Sequence, residues 1–319
     1  CAHRLRDAGV DCLLLDKAAF PREKLCAGWI TPRCARDLDL SRYPHGLREF
    51  KRFSIQYKGV TLPLPTRQYA IRRAEFDAWL LDRADVPVRR HEVRRVRREG
   101  EGFVVDDAFR CRSIVGAGGT GCPVYRNLFA EAWPRDPKRL IVAIEEEFAY
   151  DASDACCHLW FCRHGLPGYA WYVPKAGGYV NAGIGGLAAA MAARDTNVLE
   201  HWRRFTDELA AWGYVRGHAF GHRGYRYYLR RRETAASRGR AYLIGDAAGL
   251  ATLDLGEGIG PAVESAILAA DAIPNNRPLD LRRVTRRSLP GLLTARLQRR
   301  GPPSLEPAVP AGKSILHAD

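Results

Sequence analysis

One stretch limits what this chain can fold into more than any other: YLIGDAAGLATLDLGEGIGPAVESAILAADAI, Tyr242 to Ile273. Tyr242 to Ile244 form a short apolar run that predicts a buried strand. From Gly258 to Ile273 the apolar residues Ile259, Val263, Ala266, Ile267 and Ala270 fall at helical spacing. The strand delivers Gly245 and Asp246 into a turn, where an Asp can accept hydrogen bonds from a polyol hydroxyl. Gly256 and Gly258 let backbone approach a ligand closely. The helix turns its N-terminus, the positive end of its dipole, toward that ligand. A strand–turn–helix with glycines for sharp turning alone would suit a bare Gly-Asp pair, but the whole stretch reads as a ligand cradle.

The first residues point the same way. Ala2 to Ala8 predict a helix with Gly9 as its left-handed cap, and Val10 to Leu15 form an apolar run, read as a buried parallel strand, that ends in Asp16. Helix, glycine, strand and terminal acid make the second half of a βαβ nucleotide-binding unit. In such units the ribose-binding acid falls about 20 residues after a Gly-rich turn. The chain opens on Cys1 and holds no G-x-G-x-x-G at a useful place, so the first strand and its GxGxxG turn are expected to be missing.

Further along, Arg73 to Ala84 predict an amphipathic helix with Phe76, Leu80 and Ala84 on one face. Val93 and Phe103 to Val105 lie in β-rich segments, and Ile114 to Gly121 read as strand and turn. Ala155 to Gly186 predict a three-stranded meander turning at Gly165–Gly168 and Ala176–Gly178, and Thr196 to Trp212 a helix. Nucleotide-binding elements thus bracket a β-rich insertion. The expected fold class is α/β: a discontinuous, three-layer Rossmann-like domain over 1–44, 67–125 and 239–275, with an antiparallel substrate domain over 45–66 and 126–238. A helical or disordered tail is expected over 276–319.

With 319 residues, 46% hydrophobic, the chain can bury cores for two interleaved domains. The charged opening CAHRLRDAG lacks the apolar run of a secretory signal. The weakly polar run from Ala182 to Ala193 is too short to span a bilayer. Without an export signal the nine cysteines are expected to be reduced thiols, and the protein cytoplasmic. The net charge of +14 fits a solvated Arg-rich surface or peripheral contact with an anionic membrane. Aromatic residues do not interleave with the Arg runs, which argues against nucleic acid. Cys156, Cys157, His158, Cys162 and His164 would alternate faces on a strand and lack a spaced second pair, so no metal is expected.

The Tyr242–Ile273 stretch resembles the second FAD motif of the para-hydroxybenzoate hydroxylase superfamily. The resemblance implies FAD as cofactor, Asp246 on the ribityl chain with Gly245 and Gly256 nearby, and Gly258 and Ile259 against the isoalloxazine ring. DKAAFPREKLCAGWITPR, Asp16 to Arg33, is similar to the FPR-x-K-x-C-G-G loop of geranylgeranyl reductases, with Ala27 and Trp29 departing from the commoner glycines. Asp16 suits ribose hydroxyls and Arg22 a phosphate. The likeness adds Cys26, Ala27 and Gly28 as cofactor contacts and makes Cys26 a catalytic candidate, a buried structural thiol being the alternative. Arg73, ahead of Phe76 and Asp77, matches a cofactor-contacting arginine, and Val93 falls where adenine contact is expected.

YAWYVPKAGGYVNAGIG, Tyr169 to Gly185, is similar to that family's Tyr-x-Trp-x-Phe-Pro segment and following Gly-x-Gly, with Val173 in place of the Phe. Alternate aromatics put an apolar wall on one face of a sheet. Tyr169, Trp171, Pro174, Gly183 and Gly185 are therefore the expected substrate-binding set. IVGAGGTGCPVYR resembles the superfamily's Gly-Ala-Asp-Gly segment, with Gly119 at the Asp position, which counts against direct reduction by NAD(P)H and leaves ferredoxin as the other electron donor.

The resemblance implies an FAD-dependent reductase that saturates carbon–carbon double bonds of a prenyl or other long hydrophobic lipid substrate. The alternative is a flavin monooxygenase or halogenase acting on an aromatic or polyketide-like substrate. A third reading is a basic lipid- or flavin-binding protein without turnover, since loss of the Gly-rich turn would weaken FAD binding.

Overall fold

The structure is a computed structural model that describes residues 1–288 except 153, 155, 233 and 235. It opens with α1 (Ala2–Asp7) and β1 (Leu14–Asp16). Gly9, at φ +71°, caps the helix, and Val10 N–H closes back on the Leu5 carbonyl at 2.9 Å. Only Leu14–Asp16 of the expected Val10–Leu15 strand is paired, in parallel with Val88–Arg90, and all three are half-buried. With one hydrogen-bonded neighbour and Leu13 exposed, this run is not the buried strand its composition predicts.

Next come β2 (Trp29–Ile30), α2 (Pro32–Asp37), the long hairpin β3 (Arg48–Tyr57) and β4 (Val60–Ala70), α3 (Arg73–Ala84) and β5 (Val88–Arg90). The α3 bounds are those its apolar spacing predicts, and Phe76 and Ala84 are buried. A small meander, β6 (Val96–Glu99), β7 (Gly102–Val105) and β8 (Phe109–Cys111), precedes β9 (Ile114–Gly116) and α4 (Pro123–Leu128).

The chain then builds β10 (Leu140–Ala149), β11 (Cys157–Phe161), β12 (Gly168–Lys175) and β13 (Tyr179–Leu187), followed by α5 (Ala188–Ala192), α6 (Val198–Ala211) and β14 (Arg223–Tyr228). These strands join the early hairpin in an eight-stranded sheet, ordered β14-β10-β13-β12-β11-β3-β4-β2 and antiparallel except where β11 runs parallel to β3. The chain returns through β15 (Ser237–Arg238) and β16 (Ala241–Leu243), the latter parallel to β9, and reaches α7 (Ile259–Ala272).

Alternation divides the large sheet into two faces with different work. On β10, Ile144 and Phe148 pack with Trp160, Tyr172, Val180 and Ile184 under α6, whose Trp202, Phe205 and Leu209 fill that core. Asn197 caps α6, accepting from Glu200 N–H at 3.1 Å. The odd residues of β10 turn to the other face, toward α7. Behind α7, Ala269 and Ala270 pack with Tyr242, Leu250 and Leu5, tying α1 and β16 into one core.

Beyond α7 the described residues hold a 3-10 turn at Leu281–Arg283 and no α-helix, and the rest of the expected tail, from 289, lies outside them. Buried Arg230 pins this segment, donating to the carbonyls of Val284 at 2.6 Å and Leu281 at 2.5 Å. Arg230→Met is expected to cost about 3 kcal/mol, because two charge-assisted bonds vanish and two carbonyls lose their donors. A lowered urea midpoint with faster proteolysis at Leu281–Val284 checks it. Among the described residues no helix is long and apolar enough to cross a membrane.

Candidate functional site

A cavity of about 330 Å³ lies between the turn that feeds α7 and the odd-numbered face of the large sheet, within the size range of small-ligand pockets. One wall is the cradle expected from the sequence. Gly245, at φ +54°, turns the chain out of β16, and a Cβ there would stand 3.0 Å from the Ala262 Cβ on α7. Its N–H donates to Ser265 Oγ at 3.0 Å, which locks turn to helix. Asp246 follows in the cavity lining, and Tyr225 donates its hydroxyl to Asp246 Oδ2 at 3.0 Å. No hydrogen bond among the described residues engages Oδ1, and a Cβ at Gly258 would come within 3.2 Å of it.

The opposite wall is built in rows across the sheet. Register aligns Tyr225, Ala143, Gly185 and Tyr169 in one row and Glu145, Gly183 and Trp171 in the next. Cross-strand neighbours share a face, so these side chains all turn to the cavity side. A Cβ at Gly183 would stand 2.3 Å from Trp171 Cζ2 and 2.7 Å from the Glu145 Cβ. The missing side chain is what lets the indole lean across β13 toward Glu145. Trp171 is then fixed by donating Nε1–H to Asn181 Oδ1 at 2.6 Å. The Tyr169 hydroxyl donates to the Leu255 carbonyl, joining the aromatic wall to the cradle.

The loop from β1 to β2 closes one end. Asp16 accepts from Ala18 N–H at 2.8 Å, which shapes the start of the loop. Asp77 on α3 holds the rest: Arg73 forks onto it through two bonds of 2.8 Å, and Arg22 lies 3.8 Å from it. Lys24, Cys26 and Ala27 then line the cavity. Burial, with the like charge of Arg73 adding, lowers the Lys24 pKa.

Of the sequence-derived residues, the cavity lining unites Cys26, Ala27, Arg73, Tyr169, Trp171, Gly245, Asp246, Gly256, Gly258 and Ile259. Gly28, Gly183 and Gly185 do not line it: Gly28 lies against the Ile71 carbonyl, and Gly183 and Gly185 lie beside the Trp171 indole. Asp16, Arg22 and Val93 do not line it; Val93 packs against the β6–β8 meander. Pro174 is a correction: it pairs with Val180, in the row of Phe148, so alternation turns it to the α6 face and away from the expected substrate wall.

Sequence reasoning missed Tyr225, Tyr227, Glu145 and Glu257, all in the lining. The i, i+2 spacing in RGYRYY was the available signal for the two tyrosines. Gly119 also lines the cavity at φ +70°, and a Cβ there would lie 3.2 Å from the Tyr225 hydroxyl.

Two buried carboxyls border the space. Burial pushes Glu257 up to about 8, although Gly260 N–H donates to its Oε1 at 2.7 Å. Burial pushes Glu145 up to about 7, with Lys175 opposing and Glu147 adding.

The donor set fits the flavin and ribityl end of an FAD: Asp246 offers a carboxylate to polyol hydroxyls, the glycines leave room for a flat ring, and α7 begins beside it. Asp246, Gly258 and Ile259 would hold that end, with Lys24 and Arg73 at the loop side.

No family model matches the chain. Menaquinone reductase of Mycobacterium tuberculosis is 27% identical over 304 residues, covering 83% of this chain and 71% of that protein. A geranylgeranyl bacteriochlorophyll reductase-like protein from Thermoplasma acidophilum superposes with TM-score 0.74 at 17% identity, covering 95% of this chain and 81% of that one. A probable FAD-dependent monooxygenase from Pseudomonas aeruginosa gives TM-score 0.63 at 18% identity, covering 86% and 82%. The resemblance drawn from the motifs is borne out, and the α/β fold is one that the chain shares with these two solved structures.

Proposed function

We propose that this chain is an FAD-dependent oxidoreductase, similar to the geranylgeranyl-reductase-like proteins, that saturates carbon–carbon double bonds in a prenylated or other long hydrophobic substrate. One observation carries the reading. The Asp246–α7 cradle and the Tyr169–Trp171 wall border a single cavity, so a flat ring on one side would meet an apolar chain on the other. A bound flavin would supply the hydride. The protein's own residues orient, exclude water and handle the proton: Trp29, Tyr169, Trp171 and Tyr227 offer apolar surface, and the buried carboxyls offer an acid.

A prenylated quinone is the substrate class we favour, since the mycobacterial relative is named for menaquinone. The surplus of basic residues suits brief contact with an anionic membrane, where such a substrate resides. The electron donor we infer is NAD(P)H or a ferredoxin.

Anaerobic single turnover tests the reading. Pre-reduced holoenzyme mixed with a menaquinone or geranylgeranylated lipid is expected to reoxidise without oxygen and give a product richer by two hydrogens in mass spectrometry. Reoxidation only with oxygen, giving a hydroxylated product, would assign the site to monooxygenase chemistry instead.

A further inference from the structure

Hydride delivery to one alkene carbon leaves a proton to be supplied to its neighbour, so a reductase of the kind proposed needs an acid beside an otherwise apolar channel. Among the described residues, Glu145 meets that need on geometry. It lies on β10 in the same row as Gly183 and Trp171, lines the cavity and is almost wholly buried. Its Oε1 has no hydrogen-bond partner among the described residues, which is costly in a buried position unless the oxygen carries a proton or meets a ligand. The other buried acid, Glu257, is engaged by the first N–H groups of α7. Lys175, Glu147 and Arg72 form their own ion-pair chain along the same face.

We propose that the Glu145 carboxyl is the proton donor of the proposed double-bond reduction. The inference rests on the function proposed above. In the balanced step the alkene π bond breaks and two C–H bonds form, one from the hydride of the reduced flavin and one from the Glu145 proton. The flavin is oxidised by two electrons, the alkene is reduced, and the carboxylate regains its proton from solvent. Trp171 packs beside the acid: the indole closes over Gly183 and donates to Asn181 Oδ1 at 2.6 Å, which fixes the ring next to the Glu145 Cβ.

The charged and titratable groups facing Glu145 are Lys175 on β12, Glu147 on its own strand, Arg73 on α3, Tyr227 on β14, and Arg223 across the register. Burial outweighs the cations, so the acid stays protonated up to about pH 7. The raised value has a stability consequence of fixed sign. The carboxyl favours the folded state fully below the ordinary glutamate value of 4.5, and that contribution is lost as pH rises through about 7.

The test compares wild type, Glu145→Gln and Glu145→Asp. In the cofactor-free protein, infrared titration with isotope-labelled glutamate is expected to show a protonated carboxyl vanishing near pH 7 that is absent in Glu145→Gln, beside the Glu257 carboxyl vanishing near pH 8 in both proteins. Glu145→Gln should also be stabilised relative to wild type at pH 8 more than at pH 5. In anaerobic single turnover, Glu145→Gln holoenzyme is expected to reoxidise about 100-fold or more slowly, with flavin and substrate affinities little changed and partial rescue by Glu145→Asp. A carboxyl titrating with the ordinary surface glutamates overturns the proposal without any substrate. Unchanged reoxidation in Glu145→Gln, with an active wild type, overturns it and leaves the reductase reading intact. A wild type that prenyl substrates cannot reoxidise removes both.

Discussion

Gly28→Ala is expected to lower stability by about 3 kcal/mol or more, among the largest single-methyl effects available in this chain. Two causes add. Gly28 sits at φ +70°, where an L side chain costs about 1–2 kcal/mol. A Cβ there would also lie 2.0 Å from the Ile71 carbonyl oxygen, which is backbone and cannot swing aside. Ile71 N–H bonds the Gly28 carbonyl at 2.9 Å, so any relief moves the loop away from β4 and takes Lys24, Cys26 and Ala27 with it. Urea unfolding checks the loss. A midpoint equal to wild type would mean that the loop does not take this left-handed path.

Asp246→Ala carries the largest expected effect on cofactor affinity. A carboxylate accepting polyol hydroxyls contributes about 1.5–3 kcal/mol per charge-assisted bond, so FAD binding should weaken about 10- to 100-fold. The fold should survive, because Asp246 borders the cavity and the turn is held independently by the Gly245–Ser265 bond. Tyr225→Phe is the companion change: it removes the donor to Oδ2 and keeps the carboxylate, so its effect should be several-fold smaller. Flavin fluorescence titration measures both. Equal affinity in wild type and Asp246→Ala would detach this turn from the flavin.

What could be read from the chain alone divides along the range of the interactions. The strand–turn–helix at 241–272, the helix Arg73–Ala84 and the cap at Gly9 rest on contacts between near neighbours, and the pattern of residues reports them directly. Glu145 could not be found that way. Its meaning comes from lying opposite Gly183, and that pairing depends on β13 arriving beside β10 nearly forty residues later. Read locally, three acids in IVAIEEEFA look like a solvated face. Pro174 failed for the converse reason. The motif held the right strand, but the substrate wall takes only every second residue of it, and parity depends on which face α6 covers. Val10–Leu15 misled because an apolar run speaks of hydrophobicity and says nothing of how many strands flank it.

The division of labour along β10 has a consequence for how such a scaffold diversifies. Positions 144 and 148 are mortgaged to the packing under α6, while 143, 145 and 147 turn to the opposite face, where 143 and 145 line the chamber and 147 ion-pairs with Lys175 and Arg72. Replacements at the chamber-lining positions can therefore alter acidity, polarity or breathing room while leaving the packing under α6 untouched. A shift of register by a single residue would exchange the two sets and drive carboxylates into an aromatic interior. New reactivities should thus arise here by swapping alternate letters of this strand, and hardly ever by insertion within it.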